Sequence, residues 1–235
     1  MTRTGGGPTE AATPGTGAAP ARISRVPEVC LAIFATAWTA LAIAPRYRAD
    51  WLLENLPVFL AVPALVLGHR RFRFSDRACI QGTIFLLLHA IGSHYTYSEV
   101  PIDAWLGRAA GFGRNHYDRV VHFLYGVLLL RPVRELSFRG REPGCFATLA
   151  LSVAAVLAGG ALYEIVEWAV AAIADPEAGT AFLGTQGDEW DAQKDMALAG
   201  LGAVIAALVE LVVDPPPAPE ARLADGDGRS GRGAT

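Results

Sequence analysis

Histidines and acidic residues interrupt apolar stretches of this sequence, where burying an ionisable side chain is costly. The histidines are His89 and His122, and the acids Glu164 and Glu167 are three residues apart, which places them on one helical face. Imidazole nitrogen and carboxylate oxygen suit Zn²⁺, Mn²⁺ or Fe²⁺ better than a soft metal. These four residues are the predicted metal ligands. Acid–base catalysis by the same groups stays open, because burial and like charges shift proton affinities.

Three aspartates extend this set. Asp118 precedes His122 by four residues and Asp191 precedes Asp195 by four, so each pair shares a helical face. We predict that the aspartates act as further ligands or as acid–base partners.

Two charged residues precede the helices that carry the aspartates. Arg114 and Asp188 are predicted to meet the headgroup of a substrate, and Asp188 is also placed to cap the last helix. The alternative is structural, because polar side chains also hold membrane helices together. A set drawn from four helices at one depth favours a functional site.

The elements that position these residues are six apolar runs, each close to the roughly 20 residues that cross a bilayer. The chain is 52% hydrophobic and only 18% charged, and the charges cluster between the runs. The predicted fold is all-α, a polytopic bundle of about six transmembrane helices. The predicted spans are approximately Val26–Ala44, Trp51–Gly68, Ala78–Tyr97, His116–Arg131, Phe146–Ala174 and Asp191–Val213.

The two ends of the chain differ in composition from this bundle. Residues 1–25 are rich in Gly, Pro, Ala and Thr, and residues 214–235 open with three prolines. Both segments are predicted to be disordered tails around a transmembrane domain at 26–213. The first apolar run is interpreted as an uncleaved anchor rather than a signal peptide. The three cysteines have no CxxC spacing, so neither a disulfide nor a thiolate metal site is expected.

Arginine and lysine counts in the short loops predict the orientation. The two hairpins after the second and fourth spans are the most basic, which places them and both termini in the cytoplasm. The two longest loops, about Ser98–Asn115 and Asp175–Trp190, then lie outside. Scattered basic residues do not form a nucleic-acid footprint, so no nucleic-acid partner is expected.

Four motifs occur in an order that resembles the YjdF-type family of bacterial inner-membrane proteins of unknown function. They are HYTYSEVP, GRNHYDRVVHF, YEIVEW and FLGTQGDEWDAQKDM, and the resemblance covers about Trp51 to Val213. It implies an inner-membrane location and the same helix layout, but it names no reaction.

A weaker resemblance is to VanZ-like membrane proteins. It is carried by Asp118-Arg119-x-x-His122, Tyr163-Glu164 and Asp191-x-x-x-Asp195, with Arg119 where lysine is usual.

The resulting hypothesis is a multi-pass protein of the bacterial cytoplasmic membrane with a His/carboxylate site in the outer half of its bundle. It would be an enzyme that depends on a divalent metal (Zn²⁺, Mn²⁺ or Fe²⁺) and acts on a lipid or envelope substrate among membrane lipids. An ion-coupled transporter or channel and a non-catalytic scaffold or sensor are the alternatives. The sequence leaves the reaction and the oligomeric state open.

Overall fold

The computed structural model describes residues 24–102, 114–138, 145–173, 183 and 185–213. Within these ranges every regular element is a helix, as the sequence predicts. The helices are α1 (Val26–Leu41), α2 (Arg48–Glu54), α3 (Leu56–Gly68), α4 (Asp76–Tyr95), α5 (Tyr117–Phe138), α6 (Cys145–Ile173) and α7 (Asp191–Val213), with a 3₁₀ turn at Tyr97–Glu99.

In the part of the chain that the structure describes, two helices, Phe146–Ile173 within α6 and Asp191–Val213, are long and apolar enough to cross a membrane by length and composition. A third span is added if α2 and α3, which meet at an angle of 43°, are one broken span. Helices α4 and α5 have 20 and 22 residues and carry more polar side chains. The six predicted runs therefore correspond to α1, the α2–α3 pair, α4, α5, α6 and α7.

The second predicted span is broken at Asn55, which is fully buried between α2 and α3. Pro57 lacks the backbone N–H that would continue the helical hydrogen bonds across the break. The Asn55 amide donates to the Trp51 carbonyl at 2.8 Å, and its oxygen accepts from the Trp38 indole at 2.6 Å. The side chain thus fixes the bend and ties it to α1.

The fourth predicted span is longer than the apolar run, because α5 continues past Arg131 to Phe138. Charged residues in this extension have specific partners. Arg131 and Arg134 both bind Glu210 of α7, at 2.9 and 2.5 Å, and Glu135 accepts from the Ser75 hydroxyl at 2.5 Å. Ion pairs to α7 and a hydrogen bond from Ser75, the residue that caps the start of α4, therefore stabilise a segment that hydrophobicity alone would not include.

Helices α5 and α7 form the closest packing in the bundle. A side chain at Gly126 would lie 2.0 Å from the Ala199 carbonyl oxygen, and one at Gly202 would lie 2.1 Å from the Phe123 carbonyl oxygen. Such backbone contact is characteristic of small residues at membrane helix crossings. It fixes the N-terminal turns of α5 and α7 side by side.

The helices alternate in direction, so the bundle has an "Asp191 end" and a "Glu210 end". The C-termini of α1, α4 and α6 meet the N-termini of α2, α5 and α7 at the Asp191 end. Between the ends, the apolar core of α5, α6 and α7 consists of Leu130, Leu149, Val156, Ala203 and Ala207.

The predicted tails lie almost wholly outside the described residues, as do residues 103–113 and 174–182 of the two long loops. The free cysteines within the described chain include Cys30 and Cys79.

Candidate functional site

The Asp191 end brings together three aspartates from two helices. Asp118 lies in the first turn of α5, and Asp191 and Asp195 occupy the first two turns of α7. One carboxylate oxygen from each lies within 4.8 Å of the others. We call Asp118, Asp191 and Asp195 the aspartate cluster. The four-residue spacing and the close contact between α5 and α7 account for this convergence.

Asp195 is the most buried member, at 2% exposure. Its Oδ1 atom has no hydrogen-bond partner among the described residues. An unsatisfied buried carboxylate oxygen is costly and calls for a bound cation, a water or a proton.

His122 connects the aspartate cluster to α6. Its Nε2 atom lies 3.5 Å from Asp118 Oδ1 and 3.4 Å from Glu164 Oε1. One imidazole nitrogen thus lies between carboxylates of two helices. Two of the four predicted metal ligands, His122 and Glu164, therefore lie beside the aspartates.

The other two predicted ligands, His89 and Glu167, belong to a separate group on the same end. His89 Nε2 lies 3.0 Å from the Glu54 carbonyl oxygen, and Nδ1 lies 2.6 Å from the Tyr97 hydroxyl. Because a carbonyl can only accept, Nε2 carries the proton and the Tyr97 hydroxyl donates to Nδ1. Both ring nitrogens of His89 thus have protein partners, and its role as a ligand stays a prediction.

The Glu54 carboxylate is the centre of this second group. It is 4% exposed and accepts from the Tyr163 hydroxyl at 2.5 Å. Glu167 interacts with Tyr163 and lies within electrostatic range of Glu54 and Glu164. We call Glu54, His89, Tyr97, Tyr163 and Glu167 the Glu54 group. Tyr163 and Glu164 are consecutive in α6, so this helix links the group to the aspartate cluster.

The backbone at Thr96 positions Tyr97 in the Glu54 group. Thr96 has a φ of 62°, an uncommon conformation for a β-branched residue, and it ends α4. The turn folds the Tyr97 ring back over Gly92, where a Cβ atom would come within 2.7 Å of the ring. This close approach places the hydroxyl at His89.

Among the described residues, two arginines contact the aspartate cluster, and a lysine is linked to them through Asp188. Arg114 binds Asp191 through Nη2 and the Thr185 carbonyl through Nη1, and Arg119 Nη2 lies 3.1 Å from Asp191. Asp188 binds Arg119 at 2.5 Å and Lys194 at 2.6 Å, and lies 3.7 Å from Arg114.

The loop that carries Asp188 is fastened over the site by these ion pairs. The Lys194 ammonium, followed by the Arg119 guanidinium and the Trp190 N–H, holds the pKa of Asp188 well below its usual range. Asp188 accepts through Oδ1 from the backbone N–H of Trp190 at 3.1 Å, and Trp190 is the residue immediately before α7. The predicted roles of Asp188 and Arg114 are untested, but both residues border the aspartate cluster.

Sequence reasoning missed several residues of this region. Glu54 carried a signal, because it is a carboxylate inside an apolar run. Lys194 bears on orientation in the sequence, and Arg119 and Tyr163 carry the VanZ-like resemblance. Tyr97 lies in the HYTYSEVP motif, but nothing in that motif indicates its contact with His89.

The fold and the site together define a polytopic helical membrane protein with a buried, carboxylate-rich region at one end of its bundle. Residues 26–214 match the family described as "Predicted membrane protein (DUF2238)", and the chain belongs to this family. It is 35% identical over 163 residues to the inner membrane protein YjdF of Escherichia coli (strain K12), across 69% of this chain and 78% of that protein. No solved structure matches the chain.

These findings confirm the YjdF-type resemblance and a multi-pass inner-membrane protein in a lipid environment. The likeness to VanZ-like proteins, the orientation of the termini and the chemistry of the site stay predictions.

Proposed function

We propose that the aspartate cluster binds a divalent metal and that the protein is a membrane enzyme acting on a lipid or envelope substrate. The observation that carries this proposal is the buried Asp195 Oδ1 atom, which has no hydrogen-bond partner among the described residues and lies beside the other two aspartates. A divalent cation at this position would satisfy that oxygen, and Asp118 and Asp191 would complete the ligand set.

The local charge balance supports a divalent ion. In the described part of the site, five carboxylates (Asp118, Glu164, Asp188, Asp191 and Asp195) face three cations (Arg114, Arg119 and Lys194). With His122 neutral, the ionised site carries a formal surplus of two negative charges. Uncompensated charge is costly in a buried region, and one divalent cation would cancel it.

The ligand chemistry limits the choice of metal. Carboxylate oxygens with one adjacent imidazole, His122, suit Mn²⁺, Fe²⁺ or Zn²⁺, and the group of possible ligands found among the described residues contains no cysteine to attract a soft ion. Such an ion would polarise a phosphoryl or carbonyl oxygen or activate a water molecule. His122, between Asp118 and Glu164, is placed to transfer a proton next to the ion.

The apolar packing between the two ends of the bundle favours a site open to one side of the membrane over a transport path. Apolar residues including Leu130, Val156 and Ala203 fill the α5–α6–α7 core below the aspartate cluster. At the Glu210 end, Glu210 is bound by Arg131 and Arg134. A transporter would need polar groups along the path between the two ends.

Elemental analysis of detergent-purified protein, after loading with Mn²⁺ or Zn²⁺ and removal of free ion, tests the proposal. We expect about one metal per chain in the wild type and a loss of most of it in Asp195→Asn, since one carboxylate ligand is neutralised. Glu189→Gln is the matched control, because Glu189 is exposed in the same region and accepts only from the Trp190 indole in the described structure. It should keep full occupancy.

Failure of the wild type to bind either ion would overturn metal dependence. Wild-type cellular function in a His122→Ala, Asp195→Asn variant expressed at normal levels would favour the scaffold instead.

A further inference from the structure

A large apolar cavity opens beside the site, and the proposed chemistry does not use it. Its volume is about 680 Å³, in the range of small-molecule binding sites. Helices α1, α3, α4, α5 and α6 form its walls, with Phe34, Val62, Leu86, Leu129 and Gly160 as examples from each helix. In a membrane protein, such a cavity between helices is accessible to hydrocarbon chains.

The wall of the cavity is polar toward its ends and mainly apolar between them. Toward the Asp191 end its wall includes His122, Tyr97 and Tyr163, which belong to or adjoin the two polar groups. Further along, α4 contributes residues from His89 back to Ala78, a distance of roughly 16 Å at 1.5 Å per residue. Glu28 and His69 line the opposite end. A molecule lying in the cavity would thus have a polar end beside His122 and a long segment against the mainly apolar wall.

We propose that the cavity holds an acyl chain of a glycerophospholipid whose phosphate lies at the aspartate cluster. This assignment rests on the proposed function, since it names the substrate class of the same site. A metal ion on Asp118 and Asp195 would attract the phosphate, while His122, which lines the cavity and contacts Asp118, marks the point where headgroup and chain join.

The depth of the cavity selects the lipid. Along α5 the lining runs from Val121 to Leu136, roughly 22 Å at 1.5 Å per residue, which is less than the 30 Å hydrocarbon thickness of a bilayer. One acyl chain of a bulk phospholipid suits this length, whereas a polyprenyl phosphate chain is far longer.

Gly82 allows the cavity to be filled without disturbing the fold. It lines the cavity on α4, and a Cβ atom there would meet no atom within 4 Å. Gly68 has the same open surroundings but does not line the cavity. Gly82→Trp and Gly68→Trp are therefore a matched pair, one that occupies the cavity and one that does not.

The experiment uses phosphatidylglycerol with a diazirine in the acyl chain, added to the full-length protein in nanodiscs and activated by light. Mass spectrometry should locate adducts on cavity residues such as Phe34 and Leu86. Gly82→Trp should reduce these adducts by about tenfold, a factor that corresponds to a modest loss of affinity. Gly68→Trp should leave them unchanged, and unlabelled phosphatidylglycerol should compete better than undecaprenyl phosphate.

Metal content, measured on the same samples, separates this inference from the proposed function. Normal metal binding with equal cavity labelling in the wild type and Gly82→Trp would overturn the lipid assignment alone. Labelling confined to exposed residues such as Leu67 and Val212, or stronger competition by undecaprenyl phosphate, would also overturn it. Cavity labelling in a wild-type protein that binds no metal would support the acyl-chain site in the cavity and refute the metal site at the aspartate cluster.

Discussion

The buried carboxylate of Glu54 accepts a hydrogen bond from a tyrosine on a distant helix. Tyr163 donates to it across 109 positions of sequence, and the Glu54 backbone carbonyl accepts from His89. One residue thus joins α2 to α4 through its backbone and to α6 through its side chain. These two hydrogen bonds help to hold α2 over the site, together with the packing of Trp51 against Trp38.

Tyr163→Phe removes the donor and leaves the buried Glu54 oxygen unsatisfied. We expect the free energy of unfolding in detergent to fall by about 1–3 kcal/mol, the usual cost of such a group. Tyr125→Phe is the control, because its hydroxyl donates to a backbone carbonyl, that of Val156, rather than to a carboxylate. In a Glu54→Gln background, the Tyr163→Phe loss should shrink; an equal loss in both backgrounds would show that the two groups are not coupled.

The residue-scale features that sequence predicts are those set by local spacing. Asp118 with His122 and Asp191 with Asp195 were placed together because positions four apart share a helical face. His89 was grouped with them by depth alone, yet its ring nitrogens bind Glu54 and Tyr97. Depth along a helix does not fix which way the side chain points, since that depends on helix rotation and on distant partners.

At the scale of elements, the contact between α5 and α7 determines the site, because the three aspartates lie at the starts of these two helices. Backbone atoms approach so closely at Gly126 and Gly202 that neither position has room for a side chain. A small displacement at this crossing would separate Asp118 from Asp195.

Gly126→Ala places a methyl group against the Ala199 carbonyl oxygen. We expect a loss of about 1–3 kcal/mol of stability, as for other overpacked positions, together with weaker metal binding from displaced aspartates. Gly68→Ala should be neutral or stabilising, because it has open space and alanine favours helix. Thermal unfolding in detergent measures both variants, and equal stability for the two would contradict the described crossing.

Element positions were largely predictable, whereas their internal breaks were not. The apolar runs predict the helices because burying backbone in lipid requires helical hydrogen bonding. The bend between α2 and α3 depends on Asn55 reaching the Trp38 indole, a contact that no local pattern indicates. The extension of α5 beyond Arg131 likewise depends on Glu210 of another helix.

At the scale of the whole molecule, the bundle has one end rich in carboxylates and another rich in arginine. The basic hairpin residues favour a cytoplasmic Glu210 end, which would place the aspartate cluster near the opposite face of the membrane. The orientation decides which leaflet supplies the proposed substrate.

Cysteine labelling in whole cells tests this orientation. In a cysteine-free background, Gln186→Cys should react with a membrane-impermeant maleimide in intact cells, because Gln186 is exposed at the Asp191 end. Arg71→Cys, exposed in the basic hairpin, should react only after lysis. The reverse pattern would invert the topology and place the site at the cytoplasmic face.

The glycine contacts between α5 and α7 have a consequence for comparing members of this family. Gly126 and Gly202 keep α5 and α7 in contact, whereas Asp118 and Asp195 are the residues on which the proposed metal site depends. A homologue with both glycines but without the acidic residues would share the helix packing and lack the proposed site. The four positions together therefore offer a way to sort homologous genes into those that retain the proposed site and those that have lost it.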